Sequence, residues 1–441
     1  MVKKAESETG ARTRRVLMLC YYFPPLSSAG TQRSVGFARW LHDSGWTPVV
    51  LTVQRSRTRW EHGGEKIPQG ISIIRTIELN LQGLLSLLTG AFNRLCDALG
   101  VRRRPSPFFT WCLPDPQIAW LSTWRGVRIA RDVDCVYATC SPFSSALSAT
   151  LIKLLSGKPL VLDFRDPWAL NPHANYGRLQ RRVLGVFERL CLRCCDALIL
   201  NTPGAERLYR ERYPQHAEKM SCIPNGFDAL NDAPAPEGCE HLRIMHLGDF
   251  YRSRTPERLL EALARIGRDD IEFVQVGPSC EALGRFADRV RITHMSRVTH
   301  AEALVLMRTA SVLYLTQGWE QGVDRYVSVA SKTYEYLATG APILAEVPAG
   351  DNADVIRRFA HRSWIVTDPD VDNLVAAVSE AYEARHELER RVTEDFQQTF
   401  NRRGQAASLA ALLERTVVGA EPGTTSTTPV DAIAMRRDAD V

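Results

Sequence analysis

Short apolar runs alternate with amphipathic helical segments along the chain, and they do so in two separate series. In the first series, runs such as Val16–Phe23, Pro48–Val53 and Leu160–Asp163 predict buried strands, each followed by a segment with helical spacing. Continuous apolar runs of this length are typical of strands that are covered on both faces in a parallel sheet. The pattern therefore predicts a doubly wound α/β domain over residues 15–228.

The second series predicts another domain of the same class over residues 241–384. Helical patterns continue through residues 385–416, and we expect these helices to pack back toward the first domain. Residues 229–240 are polar and rich in proline and glycine, which is typical of an inter-domain linker. Residues 1–14 and 417–441 lack apolar periodicity and are predicted to be disordered tails. A chain of 441 residues is long enough for two hydrophobic cores.

Net charge, the absence of apolar targeting segments and the cysteine content indicate the partners and the cellular compartment to expect. A formal net charge of +5 is small for this length, so we expect no nucleic-acid partner. The first residues lack the apolar segment of a secretory signal, and no apolar run approaches the roughly 20 residues that a membrane-spanning helix needs. Eleven cysteines in such a chain favour reduced thiols over disulfides. We therefore expect a cytoplasmic protein.

One insertion after the third strand has two interpretations. A helix through residues 83–105 would align six apolar residues in one stripe, followed by a run of three arginines. The six are Leu84, Leu85, Leu88, Phe92, Leu95 and Leu99. Such a segment could lie in a membrane interface, with its basic end on anionic lipid at the inner face of the cell membrane. It could equally be a core helix with a solvated charge run, and amphipathicity alone does not separate the two.

The first strand-to-helix junction, Tyr21–Ser34, contains neither GxGxxG nor GxxxxGK[ST], so it lacks the dinucleotide-binding and P-loop fingerprints. Gly30 and Thr31 nevertheless lie in a turn of small residues before a helix. Such a turn would let a phosphate or a sugar hydroxyl approach the backbone closely. A plain structural turn is the alternative.

Charged residues follow two strands of the second domain. Arg252 and Arg254 lie between a strand and the next helix, where two guanidinium groups and a helix N-terminus suit a diphosphate. Lys332 and Glu335 begin a helix after another strand. A lysine can bind phosphate, and a carboxylate can accept hydrogen bonds from both hydroxyls of a ribose. Together the four residues predict a site for a nucleoside diphosphate at the carboxyl ends of the strands.

The segment LVLDFRDPWA places Asp163, Arg165 and Asp166 at the end of a strand of the first domain. One interpretation is a structural ion pair that holds the loop. The other is that one aspartate binds an acceptor hydroxyl or takes its proton. The sequence leaves both open.

The chain resembles a family 4 glycosyltransferase of the GT-B fold, in a subgroup with a DxRDxW segment. The segments that carry the resemblance are YYFPPLSSAGTQR, DFRDPWA, IPNGFD, HLGDFYRSR and SKTYEYLATGAPIL. The resemblance implies two Rossmann-like domains that face each other across a cleft, with the nucleotide sugar mainly on the second. It also implies that Arg252 and Arg254 hold the diphosphate and Glu335 the ribose. The loops at Gly277 and Val298 would contact the base, while Gly30 and Thr31 would approach from the other wall.

Two features depart from the family pattern. The family often has a second glutamate eight residues before the position of Glu335, where this chain has Val327. Glu320 or Asp324 in the preceding loop are the substitutes that the sequence offers. The family also often has a histidine after its fourth strand, which the turn ATCSPFSS lacks.

The resemblance implies a metal-independent, retaining glycosyltransferase without a cofactor. It would move a sugar from a nucleoside-diphosphate sugar to a hydroxyl of a sugar or lipid-linked acceptor, in the synthesis of a cell-surface polysaccharide, lipopolysaccharide or glycolipid. The candidate catalytic residues are Asp163, Asp166, Arg252 and Arg254. The alternatives are a nucleotide-sugar epimerase or hydrolase on the same scaffold, and a non-catalytic GT-B partner protein.

Overall fold

The computed structural model describes residues 13–26, 28–54, 67–79, 81–101, 112–174, 176–228, 241–250, 254–320 and 322–420. The predicted linker, the first twelve residues and residues 421–441 lie outside the described residues. Arg252 and residues 102–105 of the insertion lie outside them as well.

The first domain is built on a parallel sheet with the strand order β3-β2-β1-β4-β5-β6-β7. Its strands are β1 Arg14–Cys20, β2 Trp46–Val53, β3 Ser72–Thr76, β4 Cys135–Cys140, β5 Leu160–Phe164, β6 Ala197–Leu200 and β7 Met220–Cys222. Its helices are α1 Ala29–Trp40, α2 Leu81–Ala98, α3 Thr123–Ala130, α4 Ser144–Ser156, α5 Arg178–Cys194 and α6 Pro203–Arg212. Both faces of the sheet are covered, since α3 to α6 pack on one face and α1 on the other.

The second domain repeats this plan with the strand order β10-β9-β8-β11-β12-β13, again all parallel. Its strands are β8 Leu242–Leu247, β9 Ile271–Val276, β10 Arg291–Met295, β11 Val312–Thr316, β12 Ile343–Glu346 and β13 Ser363–Val366. Its helices are α7 Glu257–Ile266, α8 Glu281–Phe286, α9 His300–Met307, α10 Ser331–Ala338, α11 Asp351–Phe359, α12 Val371–Glu383 and α13 Glu394–Phe400. The prediction of two doubly wound parallel sheets is confirmed.

Several boundaries differ from those that the pattern predicts. Helix α1 begins at Ala29 because the Ser28 side chain accepts a hydrogen bond from the Thr31 amide and caps it. Gly30 and Thr31 therefore lie in the first turn of a helix and not in a turn before it. Helix α3 was not predicted, since the eight residues TWRGVRIA make little more than two turns and are too few to show a helical period.

The last helix, α14, spans Arg402–Ala420 and continues past residue 416, where the tail was expected to start. Its apolar residues join the core of the first domain beside α1, as Leu409 and Leu413 share a cluster with Val35 and Ala38. The chain thus returns to the first domain after completing the second. Burial of these side chains stabilises that return, at roughly 1.5–3 kcal/mol for each leucine.

Helix α2 lies within the insertion and has a largely solvent-exposed apolar stripe. The side chains of Leu84, Leu87 and Leu95 are more than half exposed, whereas Leu85 is buried. This burial pattern is not that of a core helix. None of the described helices is long and apolar enough to cross a membrane.

Candidate functional site

The two sheets reverse their strand order at β1/β4 and at β8/β11, which are the points where open α/β sheets leave a crevice for ligands. In the first domain, α1 starts beside this crevice. In the second, the loop after β8 and the N-terminus of α10 reach it. Of the candidate residues, Arg254 follows β8, and Lys332 and Glu335 follow β11, so these three lie beyond the carboxyl ends of central strands.

Lys332, in the first turn of α10, is directed at the end of β8. Its Nζ donates a hydrogen bond to the Leu247 carbonyl at 2.8 Å and lies 3.1 Å from Nε2 of His246. Burial, with a smaller contribution from the nearby Arg254 guanidinium, lowers the pKa of Lys332 to about 8. The ammonium group is thus positioned in a partly desolvated place where an incoming anion would be strongly attracted.

His246 contacts Lys332 directly, and Gln275 orients the His246 ring. The Nδ1 of His246 lies 2.8 Å from Oε1 of Gln275, and Nε2 of Gln275 donates to the Gly248 carbonyl at 2.8 Å. Burial, and then the Lys332 ammonium, hold the pKa of His246 well below its usual range. The neutral ring carries its proton on Nδ1 and accepts from Lys332 through Nε2. Sequence reasoning missed both residues, although each is a polar residue near the carboxyl end of a largely apolar strand.

Glycine is required where β8 and β9 end. Gly248 has φ of +122°, and a Cβ there would lie 2.7 Å from Nζ of Lys332. Gly277 has φ of +142°, and its Cβ would lie 2.5 Å from the Gly248 carbonyl oxygen. Other residues rarely adopt these backbone conformations. The two strand ends therefore approach closely, with Gly277 beside Gly248.

Glu335 lies one turn after Lys332 and meets the first domain. Its Oε1 accepts a hydrogen bond from Nε2 of Gln32 at 3.3 Å and lies 3.8 Å from Nε2 of His300. Gln32 in turn accepts from Arg402 of α14 at 3.2 Å. The carboxylate predicted for the ribose thus lies at the boundary between the domains, with neutral or basic side chains around it.

Arg254 and Asp166 approach the same space from opposite domains. Arg254 lies close enough to act on the charge of Lys332 and of His173. His173 follows the DFRDPW segment, and its Nε2 lies 3.4 Å from Oγ of Ser328 in the second domain. Burial lowers the pKa of His173, while Glu320 and Asp166 act in the opposite direction. Sequence reasoning missed His173, since it looked for a histidine after β4 and this one follows β5.

Gly30 and Arg165 are packed against each other at the start of α1. Any Cβ on Gly30 would overlap the Arg165 guanidinium, which donates a hydrogen bond to the Ser141 carbonyl and lies over the Tyr22 ring. Thr31 is fully buried, and its hydroxyl donates to the Leu26 carbonyl at 2.9 Å. Gly30 is thus buried beneath the Arg165 guanidinium, and the Thr31 side chain stabilises the turn through its hydrogen bond to Leu26.

Asp163 occupies a buried ion pair, which corrects its assignment as a catalytic candidate. Its carboxylate accepts from Nε of Arg33 at 2.7 Å and from NH2 of Arg33 at 3.0 Å, and it also accepts from the Tyr137 hydroxyl. Arg33 further donates to the carbonyls of Ile223 and Pro224, each at 2.9 Å. The ionic interpretation of this segment thus holds for Asp163, but its partner is Arg33 and not Arg165. Asp166 remains exposed.

We expect Arg33→Ala to lower the free energy of unfolding by about 3–5 kcal/mol, because it leaves the Asp163 carboxylate buried without its partner. Chemical denaturation would measure this loss. Arg39→Ala on the same helix is the matched control, since Arg39 pairs with Asp228 at 3.4 Å in a partly exposed position and should cost less than about 1 kcal/mol. Equal losses in the two variants would contradict the structural role.

Val298 and Val327 clarify two further predictions. Val298 is partly buried against the apolar core of the second domain, so its side chain is a packing residue in a loop predicted to meet the base. Val327 is buried, and its carbonyl accepts from the Thr202 hydroxyl of the first domain at 2.7 Å. This position therefore joins the domains.

Among the described residues, no group of three or more His, Cys, Asp and Glu side chains could hold a metal ion.

Comparison with known families gives a match within the first domain. Residues 29–226 match the family model described as a glycosyl transferase 4-like domain. No curated protein matches the sequence.

Solved structures match over nearly the whole chain at low sequence identity. Sucrose-phosphate synthase from Thermosynechococcus elongatus has a TM-score of 0.62 at 14% identity, covering 92% of this chain and 100% of that one. HepE of Anabaena, solved with UDP and glucose, has a TM-score of 0.56 at 16% identity over 92% and 97%. The lipopolysaccharide outer core galactosyltransferase WaaB has a TM-score of 0.56 at 11% identity over 92% and 99%. These likenesses confirm the GT-B fold.

Proposed function

We propose that this chain, whose residues 29–226 match the model of a glycosyl transferase 4-like domain, transfers a sugar from a nucleoside-diphosphate sugar to a hydroxyl group. The observation that carries the proposal is the start of α10. There Lys332 reaches the glycine-lined end of β8 and Glu335 faces the other domain, with Arg254 close by. A cation pair and a carboxylate so arranged suit a pyrophosphate and its ribose.

In this proposal the donor lies along the ends of β8, β9 and β11. The Gly248 backbone allows the diphosphate to approach Lys332, and Arg254 adds a second positive charge. Arg252, for which the sequence predicts the same role, lies outside the described residues. Glu335 accepts hydrogen bonds from the ribose hydroxyls in place of Gln32. The base extends toward Gly277 and the Val298 loop, while Gly30 borders the sugar or phosphate from the first domain.

The chain's own charges account for the bond-breaking step. As the bond between the anomeric carbon and the diphosphate oxygen breaks and the acceptor oxygen bonds to that carbon, negative charge grows on the diphosphate. Lys332 and Arg254 are positioned to stabilise this charge in a crevice with reduced solvent access. We infer that no metal ion is needed for this step, and that the sugar keeps its anomeric configuration, as the resemblance implies. Product anomers resolved by NMR would test retention.

The acceptor hydroxyl would enter from the first domain. Asp166 is exposed at the end of β5, and His173 lies in the same loop next to the second domain. Either side chain can orient a hydroxyl or receive its proton. Asp163 does not belong to this set, since Arg33 and Tyr137 enclose its carboxylate.

We further propose a polysaccharide or glycolipid acceptor, used by a cytoplasmic enzyme at the inner face of the cell membrane. The exposed leucines of α2 support such a location, because an amphipathic helix of this kind can lie in the lipid interface.

A thermal-shift panel of nucleoside diphosphates and nucleotide sugars would test the donor site. A ligand at about a hundred times its Kd stabilises the folded state by about 2.7 kcal/mol, so one base should raise Tm by several degrees. We expect Glu335→Ala to lose that shift and Glu383→Ala, an exposed position at the end of α12 in the same domain, to keep it. No shift with any nucleotide would favour a non-catalytic protein. Turnover of a nucleotide sugar without acceptor would favour an epimerase or hydrolase.

A further inference from the structure

Exposed apolar side chains are distributed very unequally between the two domains. Among the described residues, nineteen large hydrophobic side chains are strongly exposed; eighteen belong to residues 67–190, and Val305 alone belongs to the second domain. Soluble domains normally scatter such residues, whereas their concentration on one part of a surface marks an interaction site. The site at the ends of β8 and β11 does not account for them.

Helices α3, α4 and α5 carry many of these residues on one side of the first sheet. Helix α4 packs against both α3 and α5, and all three place their buried sides in the same core. Their outer sides therefore form one continuous surface, which we call the α3–α5 face. On α4 it exposes Leu151, Leu154 and Leu155. On α3 it exposes Trp124, whose ring lies 5.3 Å from the Arg128 guanidinium.

The outward stripe of α5 combines leucine with arginine. Leu179, Arg182, Val186, Arg189, Leu190 and Arg193 are all exposed. Their spacing places them on one side of a helix with 3.6 residues per turn. A water-facing helix would mix acidic and basic residues, but the only acidic residue on α3, α4 and α5 is Glu188. Glu188 is buried and accepts from the hydroxyls of Tyr209 and Tyr213. The exposed charge of the face is therefore positive.

We propose that the α3–α5 face binds the surface of a bilayer that contains anionic phospholipid. The leucines enter the boundary between headgroups and acyl chains, Trp124 lies at the level of the headgroups, and the arginines pair with lipid phosphates. Charge complementarity favours this occupant over a protein partner, because the basic residues are distributed along the whole stripe among the leucines. The inference goes beyond the sugar chemistry and does not depend on it.

Vesicle flotation of the full chain tests the proposal. We expect binding to vesicles of equal parts phosphatidylcholine and phosphatidylglycerol, little binding to phosphatidylcholine alone, and weaker binding as salt increases. The triple variant Arg182→Glu, Arg189→Glu, Arg193→Glu should lose about a hundredfold or more in partitioning, since each arginine contributes about fivefold. The control is the triple variant Arg285→Glu, Arg289→Glu, Arg291→Glu. It has the same net charge as the α5 triple variant, but its three substitutions lie at exposed positions of the second domain, so it should bind as the unchanged protein does.

Several results would overturn the proposal. One is equal binding to neutral and anionic vesicles; another is an α5 triple variant that binds as tightly as its control. A third is a protein that does not float with vesicles but self-associates in sedimentation without lipid, where the double variant Leu154→Ser, Leu155→Ser abolishes the self-association. That outcome would assign the face to a protein interface. If the α5 variant did not fold, the salt dependence of vesicle binding by the unchanged protein would still test the charge argument. Binding that does not weaken with salt would refute it. Donor-induced thermal shifts should be the same in all variants, which separates this test from that of the donor site.

Discussion

Arg254→Ala is expected to lower kcat about a hundredfold or more. The guanidinium lies within electrostatic reach of Lys332, where charge would grow on the leaving diphosphate. Removal of one such preorganised charge typically costs about 2.7–4 kcal/mol of transition-state stabilisation. Release of the nucleoside diphosphate from the donor found in the thermal-shift panel would measure the effect.

The matched control for this variant is Arg285→Ala. Arg285 is an exposed arginine of the same domain and pairs with Glu257 at 2.8 Å. Its loss should leave kcat unchanged. Activity of Arg254→Ala within tenfold of the unchanged enzyme would remove Arg254 from the proposed diphosphate site.

Lys332→Met is expected to cause a loss of similar size, together with a changed pH profile. In the free enzyme the pKa of Lys332 is lowered to about 8, so its ammonium charge is complete below that pH and is lost above it. The kcat/KM of the unchanged enzyme should therefore fall as pH rises through about 8, since this ratio reports ionisations of the free enzyme. The falling limb should be absent in Lys332→Met.

A bound diphosphate would favour the charged form of Lys332, so kcat at saturating donor should fall only at higher pH than kcat/KM. Lys153→Met is the control, because Lys153 lies on α4 and pairs with Asp196 far from the crevice. If the same limb persisted in Lys332→Met, another group would be responsible for it, and the proposed role of the lysine would be wrong.

The sheets were predictable because each central strand is a largely continuous apolar run. Such a run is typical of a strand that is buried on both faces of a parallel sheet. Gly30, Lys332 and Glu335 could also be placed near the crevice, since strand ends of a parallel sheet lie on one edge. What the sequence did not determine were the partners of these residues. Asp163 illustrates this, because two neighbouring charges along the chain suggested Arg165, whereas Arg33 lies closer in space.

His173 and Gln32 show the same limit at the boundary between the domains. Their contacts with Ser328 and Glu335 depend on how the two sheets face each other, and no periodicity along the chain records that orientation. Helix α3 was missed for a different reason. It has only eight residues, and the helical period used to recognise helices needs a longer segment to be seen.

The position of α14 makes the first lobe a composite of two distant stretches of chain. Residues 13–228 and 402–420 build it together, and the second lobe is inserted between them. A second lobe made separately should accordingly end near Phe400. A first lobe made without residues 402–420 would leave Val35, Ala38 and Leu41 uncovered, and it would need that helix supplied as a fused or added peptide.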